Sequence, residues 1–249
     1  MNTSENEQKE HPVNETISPN DTMFRGNKEH YFYVSGSAMR CIDIAALCAN
    51  ITTGFSKILD LPCGYGRVLR SIKSRFFDSK IVACDLEYSA VDFCVNTFNV
   101  DGVYSKPDIS ELEISEKFDL IWCGSLITHL SECKTRQLLD FFIERLERLG
   151  VLVITFHGRY AKYQQAVNPY LGDPQFDKII EDYNMCGYGY SNYDNQSEYG
   201  ISVIDPSWFI KYIGNREDIT LLYLSEKMWD KHHDVLALQK KEIGSKRDS

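Results

Sequence analysis

Apolar and polar positions follow two different periods along this chain, and the switches between them predict an ordered series of strands and helices. Residues 57–61, 80–84, 118–124 and 151–157 are short, nearly continuous apolar runs: KILDL, KIVAC, FDLIWCG and VLVITFH. Runs of this length read as strands buried on both faces, as in a parallel sheet. Val103 and Tyr104 suggest one more short strand. Between the runs the spacing becomes helical. Val68, Leu69 and Ile72 share one side after residue 66, Val91, Cys94 and Val95 face inward within 86–98, and a longer helix is expected over 132–149. Upstream, Met39, Ile42, Ala45, Ala46 and Leu47 give residues 38–49 a helical apolar face. Strands alternating with helices predict an α/β fold around a mostly parallel sheet.

The pattern breaks between residues 160 and 200, where Tyr, Asn, Gly and Asp dominate (NMCGYGYSNYDNQSEYG). This reads as an insertion over about 158–207, with some helix at 177–183. Long loops in compact domains tend to carry function, and clustered tyrosine and asparagine suit hydroxyl-rich ligands. Asp205-Pro206-Ser207 then opens a helix whose apolar side carries Trp208, Phe209, Tyr212 and Ile213. Residues 219–224 (ITLLYL) and 235–238 (VLAL) read as a closing antiparallel hairpin.

The ends of the chain are polar. Residues 1–22 have no periodicity and predict a disordered tail, 23–241 one domain, and 242–249 a second polar tail. The beginning lacks the apolar core of a secretory signal, and no apolar run reaches membrane-spanning length, so a cytoplasmic protein is expected. A net charge of −9 disfavours a general nucleic-acid surface. The eight cysteines form no C-x-x-C pair, which predicts reduced, mostly buried thiols.

Chemistry concentrates at the ends of the apolar runs. In KILDLPCGYGRVLR an acid, Asp60, precedes a turn over 62–66, and a helix follows. Glycines there let a ligand approach the backbone, and a helix start offers free N–H groups. A dinucleotide fingerprint is incomplete because Leu69 stands where its third glycine belongs, and no Gly-Lys-Ser/Thr of a phosphate loop is present. Asp85 ends the second strand about twenty residues on, where an acid can accept two hydrogen bonds from ribose hydroxyls.

This stretch resembles motif I of the class I S-adenosylmethionine (SAM) methyltransferases, an acid followed by x-G-x-G-x-G. Asp60, Gly64 and Gly66 match, and Pro62 replaces the first glycine. FDLIWCGSLITHLS resembles the strand-four region of the small-molecule members. Cys123-Gly124-Ser125-Leu126 lacks the Asn/Asp-Pro-Pro-aromatic motif of the base and amide N-methyltransferases. Trp229, His232 and Asp234 resemble the terminal W-x-x-H-x-D-V of methyltransferases from polysaccharide gene loci.

The resemblance implies a Rossmann-like seven-stranded sheet, mostly parallel with the carboxyl-terminal antiparallel hairpin. It implies SAM as cofactor, with Asp60, Pro62, Gly64, Gly66, Asp85, Leu86, Asp108, Ile109 and Cys123 around it, and Tyr31, Tyr33 and Ser35 on an element closing over it. His129 and His157 are candidate bases. Arg159, Tyr188, Tyr190, Tyr193, Trp229 and His233 are candidate acceptor contacts. No metal is expected, because neighbouring residues His232 and His233 would point to opposite faces of a strand. The expected activity is O-methylation of a small molecule, best a sugar or glycan, with no nucleic-acid partner. Another small-molecule acceptor (a lipid or natural product) and a non-catalytic SAM- or partner-binding domain are the alternatives, and the oligomeric state is left open.

Overall fold

The computed structural model describes residues 11–242. The apolar runs form β1 (Lys57–Asp60), β2 (Lys80–Asp85), β3 (Asp101–Tyr104), β4 (Phe118–Cys123) and β5 (Leu146–Phe156). The closing hairpin is β8 (Ile219–Trp229) and β9 (His233–Lys240). They make one seven-stranded sheet in the order β3-β2-β1-β4-β5-β9-β8. β1 pairs in parallel with β2 and β4, β2 with β3, and β4 with β5, while β9 runs antiparallel to both β5 and β8. One strand is therefore reversed, as the hairpin pattern implies.

Side-chain alternation divides the central strands between two cores. Ile58, Ile81, Ala83, Leu120, Trp122, Val151 and Val153 face one layer, with α1 (Lys28–Cys48), α2 (Leu69–Arg75) and α3 (Tyr88–Phe98). Leu59, Val82, Cys84, Ile121, Leu152 and Ile154 face the other, with α4 (Glu132–Arg145) and α7 (Pro206–Gly214). Covering both faces is what makes the strands read as continuous apolar runs rather than alternating ones.

Several expected boundaries move. α1 starts ten residues before the expected 38, because Asn27 caps it by accepting from His30 N at 3.0 Å and Tyr31, Val34 and Ser35 already occupy its buried face. Tyr31 and Ser35 are thus interior: Tyr31 donates to Asp21 Oδ2 at 2.5 Å, and Ser35 Oγ lies 2.6 Å from Ser71 Oγ. Tyr33 is half-buried, with the Arg40 and Lys231 cations 5.4 Å and 5.6 Å from its ring centre. α4 ends at Arg145 rather than at 149, since Leu146 pairs with Phe118 and draws the chain into β5.

The insertion over 158–207 folds more than its composition suggests. It holds α5 (Ala161–Val167), α6 (Asp173–Cys186) and an antiparallel pair, β6 (Tyr188–Asn192) with β7 (Gly200–Ile204). A small core of Ala161, Phe176, Ile179, Tyr183, Ile201 and Val203 holds it together. Ile204 N donates to His157 O at 2.8 Å, which ties β7 to the end of β5.

Residues 11–22, expected within a disordered tail, lie along the first core; residues 1–10 and 243–249 fall outside the described residues. The anchor is Arg70 on α2, buried to 1% exposure. Its guanidinium donates to Asn14 O at 2.7 Å, Thr16 O at 3.0 Å and Gly66 O at 3.0 Å, and lies 5.2 Å from the Tyr31 and Phe98 ring centres. A buried charge is tolerated only when its donors are satisfied. The backbone carbonyls of this segment supply that satisfaction. No helix among the described residues is long and apolar enough to cross a membrane.

Replacing Arg70 with Met is expected to lower unfolding stability by about 3 kcal/mol, the range for breaking a buried charged cluster. Urea titration measures this, and hydrogen exchange should show residues 11–24 losing protection well before the sheet. Unchanged protection there would mean that Arg70 does not hold the segment.

Candidate active site

The parallel register delivers the carboxyl ends of β1, β2, β4 and β5 to one edge of the sheet, where open α/β sheets bind ligands. Asp60 aligns with Ala83 on one side and Trp122 on the other, and Cys123 aligns with Ile154. Beyond β1 the chain turns through a cis Leu61–Pro62 bond and the positive-φ residues Gly64 (+48°) and Gly66 (+75°). The two glycines answer different needs. A Cβ at Gly66 would collide with the Phe98 ring, so this glycine lets α3 pack. A Cβ at Gly64 would meet nothing within 4 Å, so this glycine faces open space and is required only by its φ.

Asp60 is 1% exposed, and neither carboxylate oxygen has a hydrogen-bond partner. Burial, with the nearby Asp85 charge adding to it, pushes its pKa well above the usual carboxylate range. Orphaned buried oxygens are costly unless a ligand uses them. Asp85 is already oriented: Oδ2 accepts from Gly64 N at 2.8 Å and Oδ1 from Glu87 N at 3.0 Å. Leu86 beside it is 52% exposed, an apolar surface at the rim. Asp108 caps a one-turn helix, its Oδ1 accepting from Ser110 N and Oγ, and these bonds lower its pKa. Ile109 follows on that turn, packed partly against the core. Gly64 and Asp85 are joined by a hydrogen bond, and the Asp85 charge acts on Asp60 beside them. Cys123 is fully buried, backbone and side chain alike, and burial raises its thiol pKa.

Facing them is a polar wall that the sequence distributes over distant segments. His129 ends a 3-10 turn after β4. Its Nδ1 lies 2.9 Å from Gly200 O and 3.3 Å from Tyr193 OH, and its ring stacks on Tyr199 at 4.7 Å. A carbonyl only accepts, so Nδ1 carries the proton and Nε2 is the basic nitrogen. Burial lowers its pKa and keeps the ring neutral near pH 7. His157, at the end of β5, places Nδ1 3.3 Å from Ser202 O, and burial beside His232 and His129 takes its pKa down to about 3. His233 is buried, with Nδ1 3.2 Å from Thr155 Oγ1, which in turn accepts from Ser125 N at 2.8 Å. Ser125 adopts φ +62°, an unusual conformation for a residue with a side chain and one that recurs at functional sites.

The histidines sit closer together than expected. His157, His232 and His233 hold one ring nitrogen each within 4.8 Å of the others. The opposite-face argument fails because β9 begins at His233. His232 lies in the preceding turn, closed by its N–H on Trp229 O, where strand alternation does not apply.

Other expected contacts are engaged elsewhere. Tyr188 is 4% exposed, and its hydroxyl is shared between Leu130 O at 2.9 Å and Thr135 Oγ1 at 2.7 Å. Trp229 is 3% exposed, edge-on to Trp122, and donates to Val34 O. Both are core residues, because a β-hairpin strand and a covering helix bury these faces. Arg159 forms a two-point ion pair with exposed Glu226 at 2.7 Å, and Tyr190 donates to Asn192 at 2.6 Å. Tyr193 alone of the expected tyrosines reaches His129. Ser125, Thr155 and Tyr199, and Tyr170, whose hydroxyl lies 2.8 Å from His232 Nε2, join this cluster without having been expected there. Thr155, a polar residue inside VLVITFH, was the one with a visible signal.

Comparison with known proteins follows the same division. A family model described as a methyltransferase domain matches residues 58–150, from β1 into β5, and stops before the insertion. A malonyl-[acyl-carrier protein] O-methyltransferase of Acetivibrio thermocellus is 32% identical over 102 residues, 41% of this chain. The match spans 35% of that relative's length, about a third. Among solved structures, the plantazolicin methyltransferase BpumL in complex with SAH superposes with a TM-score of 0.56 at 16% identity, covering 86% of this chain and 85% of its own. A S-adenosylmethionine-dependent methyltransferase from Clostridium acetobutylicum gives 0.55 at 17% identity, over 85% and 92%. At these identities the structures establish a common Rossmann-like methyltransferase fold.

Asp60 makes a sharp stability prediction. Its pKa is raised on folding, so the folded chain holds this proton more tightly than the unfolded one. The stability tied to it is whole below the unfolded value of about 3.8 and is lost as pH rises through the folded value. Asp60→Asn removes that loss. The variant should match the parent near pH 4 and melt higher by at least about 3 °C, roughly 1 kcal/mol, near pH 8 in the absence of ligand. Calorimetric melting across pH checks this. A gap that shrinks as pH rises would contradict it.

Proposed function

We propose that this chain, which carries a class I SAM-dependent methyltransferase domain, transfers a methyl group to a hydroxyl of a small molecule, with a sugar or glycan as the acceptor. The observation that carries the reading is the pairing of a partnerless, buried Asp60 and an open Gly64 on one side of the sheet edge with His129 on the other. SAM, when bound, supplies an electrophilic methyl on a sulfonium. Gly64 would give its methionine and ribose part room, Asp85 would accept from the ribose hydroxyls, and Leu86, Asp108 and Ile109 would flank the adenine. Pro62 has no N–H to offer.

The protein's contribution is alignment first, since a near-attack geometry removes several kcal/mol from the barrier. A hydroxyl also needs a base. His129 suits the task better than His157. Its Nδ1–H on Gly200 O orients the ring and leaves Nε2 free, so Nε2 would accept the proton that the acceptor hydroxyl gives up. His157, with a pKa of about 3, is too weak a base at neutral pH. The sugar assignment is supported by the polar lining of His129, Tyr193 and Tyr199, where a lipid acceptor would favour apolar walls. The matched family segment ends at residue 150, so Tyr193 and Tyr199 on the acceptor side come from this chain's own insertion. All eight cysteines are unpaired, which supports a reducing, cytoplasmic setting.

Calorimetric titration with SAH should show saturable binding, and Asp85→Ala should weaken it at least about tenfold, 1.4 kcal/mol. NAD should not bind. Failure of SAH to bind a folded sample would sink the reading. With methyl-labelled SAM and a panel of sugar nucleotides, glycans, lipids and phenols, label should enter the carbohydrates. Transfer confined to another class would replace the sugar. In that assay His129→Ala should cut kcat by about 100-fold with SAH affinity unchanged.

A further inference from the structure

Four of the six histidines of this chain gather at the acceptor side of the site, and three of them converge on one point. We propose that His157, His232 and His233 bind a single divalent transition-metal ion of the zinc type, with one coordination position left open toward the acceptor. The donor set is three imidazoles, which suits zinc and its neighbours and not magnesium or calcium, which prefer oxygen. Three protein nitrogens with an open fourth place is the pattern of catalytic rather than structural zinc.

The surroundings match what metal-bound histidines need. Such rings usually give their second nitrogen to a carbonyl or another polar group, which fixes their orientation. His157 uses Nδ1 on Ser202 O, leaving Nε2 for an ion. His233 uses Nδ1 on Thr155 Oγ1, itself held by Ser125 N. His232 is half-buried, with Nε2 2.8 Å from Tyr170 OH. A tetrahedral zinc site needs ring nitrogens about 3.3 Å apart, given bonds of about 2.0–2.1 Å. The present limit of 4.8 Å requires a modest contraction. His232 is the ring placed to make it, since it lies in the β8–β9 turn after the positive-φ residues Asp230 and Lys231.

The role of the ion rests on the methyl-transfer reading above. An acceptor hydroxyl bound at the open position would become more acidic, easing loss of its proton to His129. Binding of the ion itself does not depend on that reading.

The test uses the tag-free full chain, stripped with chelator and titrated with Co2+ as a spectroscopic probe and then with Zn2+. The expected result is one ion per chain with intense visible bands of a four-coordinate site, displaced by Zn2+ and not by Mg2+. His232→Ala and, separately, His157→Gln should each weaken binding by at least about 100-fold. Near-UV circular dichroism and SAH titration of the same samples show that the variants are folded. Octahedral-type weak spectra, no saturation, or affinity unchanged in both variants overturns the metal site. SAH binding without metal binding rejects this inference alone. Metal binding without SAH binding rejects the methyl-transfer reading and leaves the site standing.

Discussion

Everything at the functional edge depends on the parallel pairing of β2, β1, β4 and β5. In a parallel ladder all strands end on the same side, so one register decides which residues meet there. Asp60 beside Ala83 and Trp122, and Cys123 beside Ile154, bring an acid, a glycine turn, a serine at positive φ and a threonine to one end of the sheet. A slip of one residue would exchange the two cores and turn Asp60 toward the other layer. The strands are buried on both faces, which makes such a slip prohibitive.

The molecule accepts local instability where the ligand is expected. Asp60 is buried without a partner, and Ser125 holds a positive φ. Each runs against the general preference for satisfied polar groups and relaxed backbone. The surrounding structure supports them firmly. Arg70 binds the amino-terminal segment to Gly66 O, and Phe98 packs against the glycine turn, so the turn is held from behind while its front remains open.

The histidine and tyrosine wall is built differently. His129 follows β4, His157 follows β5, Tyr193 and Tyr199 lie in the connection between β6 and β7, His232 lies in the turn before β9, and His233 opens β9. These segments are separated by up to about a hundred residues and meet only because β9 inserts beside β5 and the insertion folds back through Ile204 N on His157 O. Of these residues only His129 lies within the family match, which ends at residue 150.

The sequence by itself determined the strand order's raw material, the glycine turn and the acids Asp60 and Asp85. These are local features: apolar runs, positive-φ glycines and strand-end positions follow from nearest neighbours along the chain. It also carried His129 and His157 as candidates, because each ends or follows a central strand. Only the tertiary structure decided which tyrosines are interior. Tyr188 and Trp229 look like ligand contacts in composition, but long-range packing against Thr135, Trp122 and Val34 removes them. It alone brought His232 and His233 toward His157, because a turn, and not strand alternation, governs residue 232. It alone ordered residues 11–22, since their few apolar groups give no periodic signal and their anchor, Arg70, lies more than fifty residues away in the chain. Local chemistry can be read along a chain; partnerships between distant segments exist only once the sheet has closed.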